Sequence, residues 1–330
     1  MTHRDDLFTA FLQANGWGTA QRDAIKQDAS KRRYLRLTRS SGTTCIAMDI
    51  PADATERPDD IVRITHHLRS IRLGAPEIYA VDAHHGFLLV EDLGPLRYAD
   101  EFKSSPQLQR PRYIAAIDAL VHLQHNAPAT NLPVAGPDVL AQMIDPLFEY
   151  YLQAPCDPDQ KQSLTREFFK VLSENLTGQM VMSLRDCHAE NLIWVAAKTG
   201  HARVGLIDYQ DAFLTHPAYD IVSLVFDVRR DIPDDLRCDL IEHYIAQSGH
   251  DADHMKTAIA LINVQRNMRI LGVFARLAKQ QKPNYLDWAP RTWAFIEQGL
   301  RDPCMAPIAS EIRQIVTPPT PQHIQWLRSC

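Results

Sequence analysis

The sequence lacks several features that assign a chain quickly to a class. Its six cysteines are scattered without a C-x-x-C pair, so reduced thiols are the expected state. No apolar run approaches the length of a membrane-spanning helix, and the charged residues 1–6 lack the apolar core of a signal peptide. A formal net charge of -5 gives no basic excess for nucleic acid. We therefore expect a cytoplasmic protein with no membrane or nucleic-acid partner and no evident obligate protein partner.

Two segments of different character are present in a chain of ordinary globular composition. Residues 1–91 combine a helix at 59–73 with strand-like segments at 24–28, 34–38, 45–48, 78–81 and 87–91. Residues 92–330 are mainly helical, with helical patterns at 109–126, 138–153, 159–176, 219–228, 234–248, 253–279 and 288–300. Short strands are predicted at 192–195 and 203–207, and a loosely packed tail is predicted around residues 318–321. The pattern predicts an α+β chain with a small antiparallel sheet at 1–91 and a helical portion at 92–330.

The most informative segment, residues 184–192, has the sequence L-R-D-C-H-A-E-N-L. Asp186 precedes Asn191 by five positions, and Asp208 follows a buried strand-like run, as in the kinase pattern H-R-D-x-x-x-x-N with a later metal-binding aspartate. This spacing predicts that Asp186 accepts the proton of an attacking hydroxyl, and that Asn191 and Asp208 supply the oxygen ligands that Mg²⁺ prefers. The alternatives are a loop cap at Asp186 and a turn residue at Asp208. Leu184 replaces the motif histidine.

Two nucleotide-binding features of kinases are missing. There is no G-x-G-x-x-G loop, and Met48 stands about where the third-strand lysine is expected. Another group must therefore meet the phosphate charge. The hydroxyl, backbone N–H groups and cations of Ser30, Lys31, Arg32 and Arg33 are predicted to do so, and the alternative is an ordinary basic turn. The sequence does not distinguish among the three cations.

Taken together, these motifs resemble those of the aminoglycoside phosphotransferase-like kinases, which phosphorylate small-molecule hydroxyls. Within them, the chain is most similar to bacterial anomeric kinases of N-acetylmuramate and N-acetylglucosamine. The segments that carry the resemblance are 28–30, 88–94, 184–192, 207–212, 218–220, 227–231 and 265–272. The resemblance implies a protein kinase-like two-lobe fold, ATP and Mg²⁺ as cofactors, and a role in cell-wall sugar recycling. It also implies backbone contacts of Glu91 and Leu93 with adenine and bracing of the catalytic loop by Asp220, whereas Arg185 is predicted to be structural.

The acceptor is predicted to be a small molecule, because the few residues between Asp208 and Pro217 leave no room for a long activation segment. Arg266 falls within the apolar stripe of the 253–279 helix, so it either faces the substrate or forms a structural ion pair. The other predicted substrate contacts are Asp211, Arg229, Arg230 and Asn263. Arginines at the acceptor site favour a neutral or anionic acceptor, such as N-acetylmuramate, over a polycationic aminoglycoside. The alternatives are a kinase of another small alcohol (an aminoglycoside, a choline-like compound or an amino alcohol) and a nucleotide-binding pseudokinase.

Overall fold

The computed structural model describes residues 3–25, 32–54 and 57–329. The packing of Cα atoms divides the chain into two compact units. The first unit comprises Met1–Ala129 and Ala189–Ala212, and the second comprises Thr130–His188 and Phe213–Cys330. Residues 92–129 and 189–212 thus belong to the same unit as residues 1–91, whereas the boundary predicted from the sequence lies after residue 91.

The strands and α-helices of the described residues are numbered in chain order. The strands are β1 Gln21–Ala24, β2 Arg33–Thr38, β3 Thr44–Asp49, β4 Ile78–Asp82, β5 Phe87–Glu91, β6 Val181–Ser183, β7 Leu192–Trp194, β8 Val204–Leu206 and β9 Phe213–Thr215. The helices are α1 His3–Ala14, α2 Pro58–Ser70, α3 Tyr98–Ser104, α4 Gln109–His125, α5 Pro137–Gln142, α6 Pro158–Asn175, α7 Ala218–Val225, α8 Asp234–Ser248, α9 Ala252–Lys279, α10 Ala289–Gly299, α11 Ala306–Ile315 and α12 Pro321–Ser329.

The first unit is built on a five-stranded antiparallel sheet with the order β1-β2-β3-β5-β4. Apolar side chains cover both of its faces, because one face packs against Phe8 and Leu12 of α1 and the other against Ile61 of α2. Met48 is the penultimate residue of β3, lies opposite Tyr34 and Leu88, and is buried. The buried face of α2 consists of Ile61, Ile64, Thr65 and Leu68.

The same unit contains the β7–β8 hairpin, which lies directly before the predicted metal residue Asp208. Leu206 N donates to Gly74 O at 3.0 Å, which joins the hairpin to the segment after α2. A Cβ on Gly74 would lie 2.2 Å from Val204 O, so only glycine permits this close approach. The hairpin is thereby held in a fixed position within the first unit.

The second unit is mainly helical, with α9 as its longest element at 28 residues. The helices α7, α10 and α12 all pack against α9. The only strands described in this unit are β6 and β9, which pair with each other directly before and after the segments that carry the predicted catalytic residues. The whole chain is thus α+β with a small antiparallel sheet and a larger helical portion, as the sequence predicts.

Two local predictions are wrong. The predicted helix at 138–153 ends at Gln142 and is followed by a π-helical turn, Leu147–Tyr151, because Pro146 cannot continue an α-helix. The tail forms α12, whose Leu327 is buried. Residues 26–28 of the predicted strand 24–28 lie outside the described residues, and the first described strand is Gln21–Ala24, whose four residues are exposed. Within the described ranges, no helix is long and apolar enough to cross a bilayer.

Candidate active site

A single buried carboxylate holds the start of the loop that follows β6. Asp220, in the first turn of α7, accepts hydrogen bonds from Leu184 N at 2.7 Å, Ser183 Oγ at 2.8 Å and Arg185 N at 3.2 Å. Burial raises the pKa of Asp220 to about 6, although the hydrogen bonds act in the opposite direction. The side chain of Leu184 is buried and supplies packing where the kinase motif has histidine. These contacts agree with the bracing role expected of Asp220.

Asp186 is presented by a tight turn of this loop. The preceding residue, Arg185, has a φ of 70°, in the left-handed region, and Asp186 N donates to Leu184 O at 2.9 Å. The side chain of Asp186 is 38% exposed. Burial alone would raise its pKa, but Arg266 and other neighbouring cations outweigh this effect and hold the pKa below the ordinary 3.8. Asp186 is therefore ionised at neutral pH, which is the state that a general base requires.

Arg266 of α9 joins the catalytic loop to α7. Its guanidinium donates to Arg185 O at 2.9 Å and to Ser223 Oγ at 2.8 Å, and it lies 4.5 Å from the ring centroid of Tyr219. Its Nη2 is 3.9 Å from Asp186 Oδ1. Of the two readings left open by the sequence, the structure favours the structural one, because these contacts fix the backbone and the charge environment of the loop.

The remaining acceptor-site arginines and Asn263 lie in the same unit. Arg229 is a close neighbour of Asp227, with Nη1 at 3.4 Å from Asp227 Oδ1, and Arg230 N donates to Asp227 O at 3.0 Å. Asn263 is buried, its Nδ2 donates to Phe295 O at 2.7 Å, and its Oδ1 accepts a hydrogen bond from Asn267. This placement gives Asn263 a structural role in packing α9 against α10, in place of the predicted substrate contact.

The two predicted metal residues flank the β7–β8 hairpin of the first unit. Asn191 ends a single 3₁₀ turn directly before β7, Asp208 follows β8, and Ile207 N donates to Asn191 O at 3.1 Å. This hydrogen bond brings both residues to one end of the hairpin. Asp208 has a φ of 62°, a left-handed conformation that aspartate tolerates better than most residues. One amide oxygen and one carboxylate suit Mg²⁺, which takes its other ligands from phosphates and water.

Arg32 is the cation that reaches this end of the hairpin. Its Nη2 donates to Asp208 Oδ1 at 2.7 Å, and the arginine side chain is only 5% exposed. Gln210 Nε2 donates to the same oxygen at 3.1 Å and to Asp211 Oδ2 at 3.2 Å, which places Asp211 beside Asp208. A buried guanidinium thus lies directly beside the carboxylate that is predicted to bind the metal.

Arg33 points elsewhere. Its guanidinium contacts Asp49 at 2.9 Å and Asp5 at 3.1 Å, and its side chain is 45% exposed. Ser30 and Lys31 lie outside the described residues, so their predicted phosphate contacts stay predictions. Of the two arginines in the predicted group, only Arg32 contacts Asp208 in the described structure.

A buried hydrogen bond next to Asp208 was not anticipated from the sequence. Tyr209 Oη lies 2.7 Å from Thr65 Oγ1 of α2, and Thr65 Oγ1 itself donates to Ile61 O at 2.6 Å. Because the threonine hydroxyl has one proton, Tyr209 must be the donor in the shared bond. Thr65 follows Ile64 on the buried face of α2. A polar residue at such a position is the sequence signal that could have indicated this hydrogen bond. The bond ties α2 to the residue after Asp208.

The predicted adenine-binding segment follows β5. Glu91 N donates to Glu77 O at 2.7 Å, so this N–H is used within the sheet. The Glu91 side chain pairs with Lys198 at 2.7 Å. Asp92 accepts from Arg36 at 2.7 Å and from Gly94 N at 3.0 Å, which fixes the turn that contains Leu93. An adenine contact by Glu91 is therefore left to its carbonyl group, with the N–H of Leu93 as the predicted donor.

The two units thus each carry part of the kinase pattern: one supplies a braced loop with an ionised aspartate, and the other an Asn–Asp pair beside a buried arginine. The sequence matches the family described as "Phosphotransferase enzyme family" over residues 22–256. The chain therefore belongs to the phosphotransferase enzyme family.

Individual relatives are named more specifically. The chain is 30% identical to the N-acetylmuramate/N-acetylglucosamine kinase of Caulobacter vibrioides, over 92% of this chain and 94% of that protein. It is 28% identical to the kinase of the same name from Pseudomonas putida, with 94% of each protein covered.

Solved structures agree on the fold. A choline kinase from Streptococcus pneumoniae superposes with a TM-score of 0.64 at 12% identity, covering 93% of this chain and all of that one (100%). An aminoglycoside phosphotransferase from Streptomyces rimosus superposes with a TM-score of 0.55 at 18% identity, covering 79% of this chain and 98% of that one. The predicted protein kinase-like fold is confirmed.

Proposed function

We propose that this protein transfers the γ-phosphoryl group of ATP to the anomeric hydroxyl of N-acetylmuramate or N-acetylglucosamine, in the cytoplasm and in the recycling of cell-wall sugars. The observation that carries the phosphotransferase part is the ionised Asp186 on a loop held by Asp220 and Arg266. The identity of the acceptor is supported by the similarity of the chain to two bacterial N-acetylmuramate/N-acetylglucosamine kinases.

In the proposed reaction, Asp186 accepts the proton of the sugar hydroxyl while the hydroxyl oxygen bonds to the γ-phosphorus and the bond to ADP breaks. ATP supplies the phosphoryl group. Asn191 and Asp208 would hold Mg²⁺, which would offset part of the phosphate charge, and Arg32 would contact the phosphates. The Glu91 carbonyl and the Leu93 N–H orient the adenine, while Asp220 and Arg266 keep the loop in place.

The charges around Asp186 bear on the acceptor. The cations that influence this carboxylate include Arg185, Arg266 and Arg269, and Arg229 acts on the adjacent His188. The nearby carboxylates are Asp220 and Asp227. The charges that act on Asp186 itself are therefore predominantly those of arginines. This balance suits a neutral or singly anionic sugar and opposes a polycationic aminoglycoside. Asp211 and Arg230 stay candidate contacts.

A panel of acceptors tests the proposal. With ATP and Mg²⁺, we expect turnover of N-acetylmuramate and N-acetylglucosamine, and little or none of kanamycin, choline and ethanolamine. Asp186→Asn should lower kcat by about 10²- to 10⁴-fold, the usual contribution of a general base, with nucleotide affinity unchanged. The control is Asp231→Asn, because the Asp231 side chain is 93% exposed and should tolerate the same substitution. Turnover of choline or ethanolamine without turnover of the sugars would show that the acceptor is an amino alcohol. The absence of turnover with every acceptor would favour a pseudokinase.

A further inference from the structure

A small cavity lies beside the catalytic loop, wholly within the second unit. It has a volume of about 20 Å³, and its lining includes His188, Asp227, Arg229, Arg266 and Asn267. Arg266 also contacts Arg185 O and approaches Asp186, and His188 N donates to Asp186 O at 3.1 Å, so the cavity adjoins the proposed base. A volume of this size holds one water molecule or one hydroxyl group, but neither a sugar ring nor an acetamido group.

The cavity wall contains buried polar atoms without partners. Across the described residues, Asp227 Oδ2, Asn267 Oδ1 and His188 Nδ1 have no hydrogen-bond partner. The side chain of Asp227 is fully buried, at 0% exposure, and Asn267 is 1% exposed. Burying a carboxylate oxygen without a hydrogen-bond donor raises the free energy of the folded protein. Its position beside a cavity therefore indicates a ligand that supplies the donor.

The contacts of Asp227 leave one oxygen for this purpose. Asp227 Oδ1 accepts from Arg229 N at 3.1 Å and lies 3.4 Å from Arg229 Nη1. Asn267 likewise uses its Nδ2 on Asn263 and keeps its Oδ1 as an acceptor. Burial lowers the pKa of His188, and the charge of Arg229 acts in the same direction, so the imidazole is neutral and can donate or accept through Nδ1. A hydroxyl in the cavity can donate its one proton to Asp227 Oδ2 and can accept from the imidazole when His188 Nδ1 carries the proton.

We infer that Asp227 Oδ2, with Asn267 and His188, binds a non-reacting hydroxyl of the acceptor sugar and thereby fixes which hydroxyl faces Asp186. The inference rests on the proposed function, since it assigns a specificity-determining contact to the same acceptor site. Asp227 binds the substrate and takes no part in the proton transfer, in which Asp186 is the acceptor. An ordered water in the cavity is the competing occupant.

The test compares kcat/KM for N-acetylglucosamine with its 3-deoxy, 4-deoxy and 6-deoxy analogues, in the wild type and in Asp227→Asn. The wild type should lose about 10- to 100-fold on one analogue, the value of a hydrogen bond to a charged group. Asp227→Asn, which keeps Oδ1 for Arg229, should lose a similar factor on the parent sugar and nothing further on that same analogue. The control Asp231→Asn should keep the wild-type profile, because Asp231 is exposed.

The possible outcomes distinguish a failure of the inference about Asp227 from a failure of the proposed function. Turnover of the parent sugar with an equal response to all deoxy analogues in the wild type would overturn the inference and leave the proposed function standing. A uniform loss by Asp227→Asn on every sugar would also overturn it, because a water-filled cavity affects all sugars alike. If the wild type phosphorylates no sugar, the proposed function fails and the inference fails with it. The comparison within the wild type requires no variant to fold, and nucleotide affinity reports the folding of each variant.

Discussion

Replacing Arg32 by glutamine tests whether this residue supplies the phosphate charge that a third-strand lysine provides in other kinases. Glutamine keeps an N–H donor and removes the charge. In the free protein, Arg32 Nη2 lies 2.7 Å from Asp208 Oδ1, for which Coulomb's law gives about 6 kcal/mol at an effective dielectric of 20. Because Asp208 is 38% exposed, solvent screening reduces this to about 1 kcal/mol of stability. The larger effect is expected in the reaction, where one preorganised donor at a developing charge contributes about 10²- to 10³-fold in kcat.

The matched control is the adjacent arginine. Arg33→Gln removes the same charge one residue further along, but Arg33 contacts Asp49 and Asp5 and is 45% exposed. We expect steady-state kinetics with varied ATP to show a loss of about 10²-fold or more for Arg32→Gln and a change within about threefold for Arg33→Gln. Adenosine, which lacks phosphates, should bind both variants equally by calorimetry. Equal kinetic effects of the two substitutions would refute the assignment. Tighter Mg²⁺ binding with unchanged ATP kinetics in Arg32→Gln would show instead that Arg32 competes with the metal for Asp208.

Two further predictions concern the supports of the site. Tyr209→Phe and Thr65→Val should each destabilise the protein by about 1 kcal/mol or more and raise the KM for Mg-ATP. Each removes the shared hydrogen bond, and Thr65→Val also removes the bond to Ile61 O, so the double variant should be no less stable than Thr65→Val in a double-mutant cycle. Additive losses would contradict the coupling. The pKa of Asp220 is about 6 in the folded protein against an ordinary 3.8, so the folded state binds the extra proton between these values. The free energy of unfolding of the wild type, measured by denaturant titration relative to Asp220→Asn, should therefore fall by about 2 kcal/mol as pH rises from 4 to 6 and by only about 0.4 kcal/mol more above pH 6. A rise in the free energy of unfolding over this window would contradict the assignment.

The sequence alone predicts the structure where residues close together in the chain determine it. The spacing of Asp186, Asn191 and Asp208 is fixed by a short loop and a hairpin, so the positions of these residues along the chain predict their placement within each unit. Long amphipathic helices can be predicted from the sequence equally well, because the predicted 253–279 helix is observed as α9, Ala252–Lys279.

Contacts between distant segments could not be read in the same way. The sequence offered three cations for the phosphates, and only the pairing of Arg32 with Asp208, 176 residues apart, distinguishes one of them. The Thr65–Tyr209 bond spans 144 residues and depends on how α2 packs. Arg266 was ambiguous because helical periodicity places a side chain on a face but does not identify the carbonyl groups that it meets there.

Phosphorus NMR of the reaction product tests the central claim most directly. With N-acetylglucosamine, ATP and Mg²⁺, the account predicts one new phosphate monoester signal coupled to a single sugar proton, as required for phosphate on the anomeric carbon, and its loss in Asp186→Asn. Coupling to the two protons of the C6 methylene would place the phosphate on another hydroxyl. Release of inorganic phosphate without a sugar ester, or product formation undiminished in Asp186→Asn, would contradict the account.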